Sequence, residues 1–287
     1  MISMRQTSLV LWSAFRDLGA VAALLGRDRA DLELQLSMLP DGLEGVALMA
    51  GEELAAVGLF VRSNLVVSGR CSLTWLSARD PEDAFDLISR SEARARAEGA
   101  RSFEVTERRV HDLWPFMRAA GFARVNAMVH MLRTRRRALP PLPEGVAERR
   151  LSEVGVDAWV HAEHEAFRGG AFTVLLTRED AERQRAAPGF DEPLLRILVD
   201  DGGPIGMLRG LMAADGTGEV ESIGLARRAR RRGLGRWLLR RCEELLDERG
   251  AREVVLRVAE SNAVAIGLYR QESYEEVRRD VAWEREL

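Results

Sequence analysis

The chain has 287 residues, and its 42 basic side chains against 45 acidic ones leave a formal net charge of −3. With 46% hydrophobic and 30% charged residues it holds enough apolar material for a sizeable core, which excludes a disordered chain and suits two domains or one large one. No run approaches the roughly 20 apolar residues of a membrane helix, and the opening MISMRQTSLVLWSAFRDL lacks a cleavable signal layout, so a cytoplasmic protein without a membrane partner is expected.

In the first half, Cys71–Leu76 reads as a strand, Ala84–Glu98 as a helix and Ser102–Thr106 as a strand, the last two joined by Gly99-Ala100-Arg101. His111 and Trp114, one helical turn apart, suit packing better than a pocket wall. Arg135-Arg136-Arg137 then runs into Pro140, Pro141 and Pro143. Such a stretch continues neither a helix nor a central strand, and it sets domains 1–137 and 144–287 around a linker 138–143. In the second half a helix carrying Trp159, His161, Glu163, His164 and Glu165 precedes three strands, Leu194–Gly202, Pro204–Gly216 and Gly218–Leu225, whose Gly/Asp junctions read as hairpins. Surface or packing roles suit the two histidines better than substrate contact, and Glu163 and Glu165 share that reading. A helix from Gly235 to Arg249 follows, with Trp237, Leu238, Cys242, Leu245 and Leu246 on one apolar stripe, and then a strand Glu253–Val258. An offset of 151 residues lays Gly250-Ala251-Arg252 on Gly99-Ala100-Arg101. The chain therefore reads as an internal repeat of about 140 residues, each copy an α/β fold with a mixed sheet in which an antiparallel meander feeds a strand, helix, strand unit.

The segment with the most chemistry runs from Gly218 to Trp237. A strand ends near Leu225, a helix begins near Gly235, and the turn between them carries Gly233 and Gly235. Glycines there let a backbone approach a ligand closely, and the first helical N–H groups point outward, an arrangement made for a phosphate or pyrophosphate. Neither a G-x-G-x-x-G nor a P-loop pattern is present, and the chain has no lysine for the latter. Eight arginines between Arg227 and Arg241 would suit a nucleic-acid strip, but several fall on this turn, Glu243, Glu244, Asp247 and Glu248 follow at once, and the protein is mildly acidic; no nucleic-acid partner is expected. Cys71, Cys242 and the four histidines have no zinc-ligand spacing, so no metal is expected either.

Arg230-x-x-Gly233-x-Gly235 resembles the pyrophosphate loop of the GNAT superfamily of acyl-CoA N-acyltransferases, and Asn262-x-x-Ala265-x-x-Leu268-Tyr269 resembles that family's second element. The wording around both motifs is similar to the ribosomal-protein alanine N-acetyltransferase branch, and the tandem layout is similar to mycothiol synthase. The resemblance covers 144–287 well and the first half in outline. It implies two tandem GNAT-like domains, with acetyl-CoA as co-substrate and a primary amine attacking it directly; a non-catalytic acyl-CoA-binding or scaffolding protein is the alternative. It also implies that the backbone of Ile223, Gly224 and Leu225 pairs with the pantetheine arm, that the Leu225 N–H faces the thioester oxygen, and that Arg230, Arg231, Arg232, Gly233, Leu234, Gly235 and Arg236 hold the pyrophosphate. Asn262 would bond the pantetheine region and Tyr269 would protonate the leaving thiolate, its ordinary pKa of about 10 lying near the thiol's 8.5.

A base must free the acceptor amine of its proton. The alanine-acetyltransferase position for it is Arg257 here, so that assignment fails. Glu219 is preferred, directly or through water, with Glu221 second, because alternation puts both on one strand face; both also suit plain solvent-exposed strand carboxylates. Ser273 stands where the family usually has a left-handed glycine. In the first half the same offset puts Arg79, Glu82 and Ala84 on Arg230, Gly233 and Gly235, so the turn Arg79-Asp80-Pro81-Glu82-Asp83-Ala84 has lost an N–H and gained carboxylates that repel phosphate. With the offset grown to 152, Met117 stands for Tyr269 and Val110 for Asn262, so this copy is expected to be degenerate. The acceptor amine, the acyl length and the choice between monomer and homodimer are not encoded in any motif.

Overall fold

The computed structural model describes residues 7–11, 18–26, 28–30, 32–33, 42–62, 65–107, 114–167, 176–187 and 189–287. The chain divides into two compact units, Met1–Val129 with Ala259–Ser261 and Arg278–Leu287, and His130–Val258 with Asn262–Val277.

The first unit contains β1 (Thr7–Leu11), α1 (Leu18–Leu25), β2 (Leu43–Ala50), β3 (Glu53–Val61), α2 (Leu65–Ser68), β4 (Arg70–Ala78), α3 (Pro81–Ala97), β5 (Ser102–Glu107), α4 (Trp114–Ala119) and the start of β6 (Ala123–Arg133). β1 to β4 form an antiparallel meander, and α3 returns the chain so that β5 lies parallel to β4. Helix α3 starts at Pro81, before the expected Ala84, because Asp80 caps it and proline suits a first helical position whose N–H has no partner. Phe60, Leu87, Ile88, Phe103 and Met117 fill the core.

The last ten residues, expected with the second half, belong to this first unit. Val281–Glu286 pairs antiparallel with β5, from Val281↔Glu107 to Glu286↔Ser102, and buries Val281 and Trp283 in the first core. Their alternation with Asp280 and Glu284 suits a strand with one buried face, but alternation cannot say which sheet edge receives it.

The second unit contains β7 (Ala147–Arg150), α5 (Leu151–Val154), α6 (Val156–Phe167), α7 (Arg178–Ala186), β8 (Leu195–Asp200), β9 (Gly203–Met212), β10 (Thr217–Leu225), α8 (Leu234–Glu248), β11 (Glu253–Ala259), α9 (Ala263–Gln271) and the start of β12 (Tyr274–Glu286). The expected hairpins are present, β8 with β9 and β9 with β10; β7 also pairs antiparallel with β8 across α5, α6 and α7, and β11 joins β10 parallel after α8. The proline-bearing segment 138–143 falls inside this unit. Helices cover β9 and β10 on opposite faces. A Cβ at Gly210 or Gly218 would meet Leu246 of α8, and one at Gly224 would meet Ala166 and Phe167 of α6. The apolar stripe of α8 lies against the sheet, with Trp237, Leu238, Cys242, Leu245 and Leu246 all buried.

Candidate active site

β10 and β11 pair only from Thr217↔Glu253 to Val220↔Leu256, although β10 runs on to Leu225 and β11 to Ala259. On its other side β10 keeps its bonds to β9 as far as Leu225↔Gly206, with a bulge between Val220 and Ser222. The bulge inserts Glu221 and shifts the side-chain parity of the strand, so Gly218 faces α8 while Gly224, six residues on, faces α6. Beyond Val220 the β11 side of β10 is left without a β partner among the described residues. Because the Ala226 N–H donates to the Ile205 carbonyl of β9, strand alternation turns the Leu225 and Ile223 N–H groups the other way, into this opening. Gly224 admits no larger residue: a Cβ there would lie 2.5 Å from the Ala166 Cβ and 2.9 Å from the Phe167 ring.

The turn after β10 is built to leave amide hydrogens uncovered. Arg231 and Gly233 both adopt the left-handed conformation, at φ 62° and 78°. Gly233 is the N-cap of α8 and offers no side-chain acceptor, and the first turn of the helix carries no acidic residue. The leading N–H groups of Leu234, Gly235 and Arg236 therefore face outward with the positive end of the helix dipole behind them. The Arg230 side chain is engaged by the protein itself. Its Nε donates to the Leu225 carbonyl at 3.1 Å and its guanidinium reaches the Ala166 carbonyl at 3.3 Å, so it braces the strand end against α6. Arg236 and Arg240 both bind Glu272, at 2.6 and 2.7 Å, tying α8 to the end of α9. Burial works against the Glu272 charge, yet the two guanidinium groups hold its carboxyl below the usual range. Arg231 and Arg232 are exposed.

Leu225, Gly235 and Leu268 converge here, since a Cβ at Gly235 would lie 3.5 Å from a Leu268 methyl and 3.8 Å from one of Leu225. That contact sets α9, and Tyr269 with it, beside the mouth of the strand opening. Tyr269 is buried and its ring lies 6.0 Å from that of Tyr274. Burial, helped slightly by Cys242, pushes its pKa up to about 12. The near match between phenol and thiol expected from reference values is thus corrected: Tyr269 stays protonated at any physiological pH and is a weaker acid than a free phenol. Asn262 caps α9, its Oδ1 accepting the Ala265 N–H at 3.2 Å, which leaves its amide NH2 as the group able to meet a ligand. Ser273 does take the left-handed conformation, φ 68°, that its position demands.

Glu219 and Glu221 fall on the face of β10 opposite Gly218, because the bulge shifts the alternation only from Ser222 onward. Neither carboxylate is free. Arg257, the residue that replaces the alanine-acetyltransferase base, binds Glu219 at 2.6 Å. Arg209 of β9 binds Glu221 at 2.8 Å. Arg209 itself lies against the paired rings of Trp159 and Phe190, 5.6 and 5.5 Å away, and donates to Gln184 at 2.5 Å. The surrounding protein pushes the Glu221 carboxyl up despite Arg209, with Glu219 adding to the shift, although 32% of the side chain still meets solvent. Burial likewise raises Glu163 of α6, against Arg209 and Trp159 and helped by Glu221. Arg209 and its aromatic clamp are not anticipated from the sequence. An arginine inside the apolar run Met207-Leu208-Arg209-Gly210-Leu211 is the signal that could have found them, since a guanidinium on a half-buried strand needs partners. His164 bonds the Leu176 carbonyl at 2.7 Å and His161 is exposed, so both serve packing or surface.

In the first unit the turn before α3 is closed by its own side chain. Asp80 caps the helix by accepting the Asp83 N–H at 2.9 Å, Pro81 supplies no N–H, and Glu82 and Asp83 fill the first turn. Met117 is fully buried where Tyr269 stands in the other copy. Val110 and His111, and the side chain of Trp114, lie outside the described residues. Among the described residues no group of three or more His, Cys, Asp or Glu is placed to hold a metal ion.

A splayed parallel strand pair, an uncapped helix start and a tyrosine beside them thus meet in the second unit. Residues 156–273, most of them in the second unit, match the Acetyltransferase (GNAT) family. Mycothiol acetyltransferase from Clavibacter michiganensis subsp. michiganensis is 33% identical over 145 residues, 50% of this chain and 47% of that protein. Mycothiol acetyltransferase from Thermomonospora curvata is 33% identical over 171 residues, 58% and 57% of the two chains. The matches thus span about half the length of these curated relatives. Among solved structures, a GCN5-related N-acetyltransferase from Sphaerobacter thermophilus superposes with a TM-score of 0.76 over 98% of this chain and 95% of that one, at 21% identity. A tandem GNAT protein from the clavulanic acid biosynthesis pathway gives 0.74 over 98% of both, at 18% identity. These last two likenesses are of fold alone, and they cover nearly the whole chain.

Proposed function

We propose that the second unit transfers an acetyl group from acetyl-CoA to a primary amine by direct attack, and that the first unit is a degenerate copy that does not take the co-substrate. The observation that carries the reading is the junction of an unpaired strand edge, Glu221–Leu225, with an uncapped helix start at Gly233–Arg236. One is matched to an extended amide-bearing arm and the other to a diphosphate. When bound, acetyl-CoA supplies an activated acyl carbon at a thioester.

The chain's own groups then divide the work. The backbone of Ile223, Gly224 and Leu225 holds the pantetheine arm, and the Leu225 N–H stabilises charge developing on the thioester oxygen. Amide hydrogens from Arg231 to Arg236 take the diphosphate, and the Asn262 amide bonds the arm. Glu219, through water, accepts the proton of the attacking ammonium, with Glu221 as the alternative base. Tyr269 donates a hydrogen bond to the departing sulfur, and its proton follows as charge collects there. A mycothiol precursor amine heads the candidate acceptors because of the name its relatives carry, and a cytoplasmic site of action belongs to the same reading, supported by two free, buried cysteines.

The test is release of free thiol from acetyl-CoA across a panel of amines that includes a cysteinyl glycoside, a peptide N-terminus and an aminoglycoside. Acceptor-dependent release is expected. Tight acetyl-CoA binding with no release for any amine would favour the non-catalytic acyl-CoA-binding reading.

A further inference from the structure

Away from the first turn of α8 lies a recess of about 330 Å³ lined by Arg135, Arg136, Arg137, Ala138 and Arg240; Arg136, Arg137 and Arg240 also line an adjoining recess that includes Glu243 and Glu244. The segment bearing three of these arginines is fixed. Thr134 donates its N–H to the Ser273 carbonyl at 2.8 Å, Arg137 reaches the Ser273 hydroxyl at 3.0 Å, and Arg240 holds the Ala138 carbonyl at 2.7 Å. The guanidinium groups of Arg136, Arg137 and Arg240 are therefore gathered in advance of any ligand, which lowers the entropy lost on binding one.

Their charge is only partly balanced, because Glu243 and Glu244 of the adjoining recess are themselves paired with Arg133 and Arg241. Asp247 is shared by Arg133, at 2.7 Å, and Arg136, at 3.1 Å, and Glu272 is shared by Arg236 and Arg240. Arg137 meets only a neutral hydroxyl, and Arg135 has no ion-pair partner among the described residues. Arginines in such excess over carboxylates, with unused N–H donors turned into a concave wall, select a small multivalent oxyanion, since a guanidinium fork matches phosphate geometry.

We propose that this recess binds a phosphate monoester dianion, at a site separate from the Gly233–Arg236 turn. Arg240 lies six residues beyond Leu234, about 9 Å along the helix. That spacing is within reach of a second phosphate on a nucleotide held at the turn. The dianion is then either the 3′-phosphate of coenzyme A or a separate phosphorylated molecule. The first source rests on the transferase reading, and the second does not.

The full chain carrying Gly235→Glu, which shuts the turn, is titrated with inorganic orthophosphate in the presence and absence of Arg135→Ser plus Arg137→Ser. Both arginines are exposed, and an unchanged melting temperature verifies folding. Saturable binding that weakens at least about ten-fold in the double arginine variant, and with rising salt, is expected. In the parent chain, acetyl-CoA and its 3′-dephospho form are then compared. A preference of about ten-fold for the phosphorylated form, lost in the double arginine variant, assigns the site to coenzyme A; orthophosphate binding without that preference assigns it to a separate ligand. Orthophosphate binding in a chain that takes up no acetyl-CoA leaves this site standing and removes the transferase. No orthophosphate binding in the Gly235→Glu chain together with equal affinity for the two thioesters, or effects untouched by the arginine changes, overturns the proposal.

Discussion

Tyr269 carries the most exposed claim at the level of single residues. A phenol pushed up to about 12 is a poor acid at equilibrium but a permanent hydrogen-bond donor, and its value lies in meeting sulfur only as charge develops. Tyr269→Phe is therefore expected to lower kcat by about 10² with little change in acetyl-CoA affinity, checked by steady-state kinetics beside direct titration. The two glutamates are separated by pH. Loss of the base to Gln lowers kcat by about 10² and removes the acidic limb of the rate profile. We expect this of Glu219→Gln; the same result in Glu221→Gln, with a limb displaced above the ordinary carboxylate range, moves the role to Glu221.

Glu243 offers a stability test at the same scale. It is 3% exposed, and burial, outweighing Tyr274 and Arg133, pushes its pKa up to about 7. The folded protein thus holds a proton that the unfolded chain, near the ordinary value of 4.5, has released. Stability from this group is present below pH 4.5 and is lost as pH rises toward 7. Glu243→Gln, which leaves Arg133 its Asp247 partner, should match the parent in thermal melts at pH 4.5 and exceed it at pH 8 by roughly 2–3 kcal/mol.

Among elements, α8 is the piece on which the site is assembled. Its N-terminus presents the amides, its apolar stripe anchors it to β9 and β10, and Glu272 clamps it to α9 through Arg236 and Arg240. Two changes act on different ends of this arrangement. Gly235→Glu sets a carboxylate among the outward N–H groups and should abolish acetyl-CoA binding by calorimetry while the melting temperature holds, because a Cβ at that position meets only ordinary contacts. Glu272→Ala leaves two cations without their buried partner and should destabilise the fold by about 3–5 kcal/mol in denaturant unfolding. The meander, the strand, helix, strand units and the glycine-bearing turn before α8 were legible in the sequence because each depends on local spacing: alternating apolar residues, Gly and Asp at turns, glycines before a helix. The bulge at Glu221, the Arg209 clamp and the destination of Val281–Glu286 were not, since each is decided by a neighbour distant in sequence.

For the whole molecule, the two copies of one pattern differ most where the sequence differs most sharply. In one, a left-handed Gly233 leaves the helix start without a side-chain cap; in the other, Asp80 and Pro81 satisfy or remove the same donors. An anion entering the first copy must displace an internal carboxylate and lie beside Glu82 and Asp83, so repulsion adds to the lost hydrogen bonds. The expected stoichiometry is accordingly one acetyl-CoA per chain. Calorimetry measures it directly, and Gly235→Glu should take it from one to zero while Glu82→Gly leaves it at one. Two equivalents in the parent chain would show that the first copy takes up the thioester by contacts other than its helix start, and the division into one working and one degenerate copy would fall.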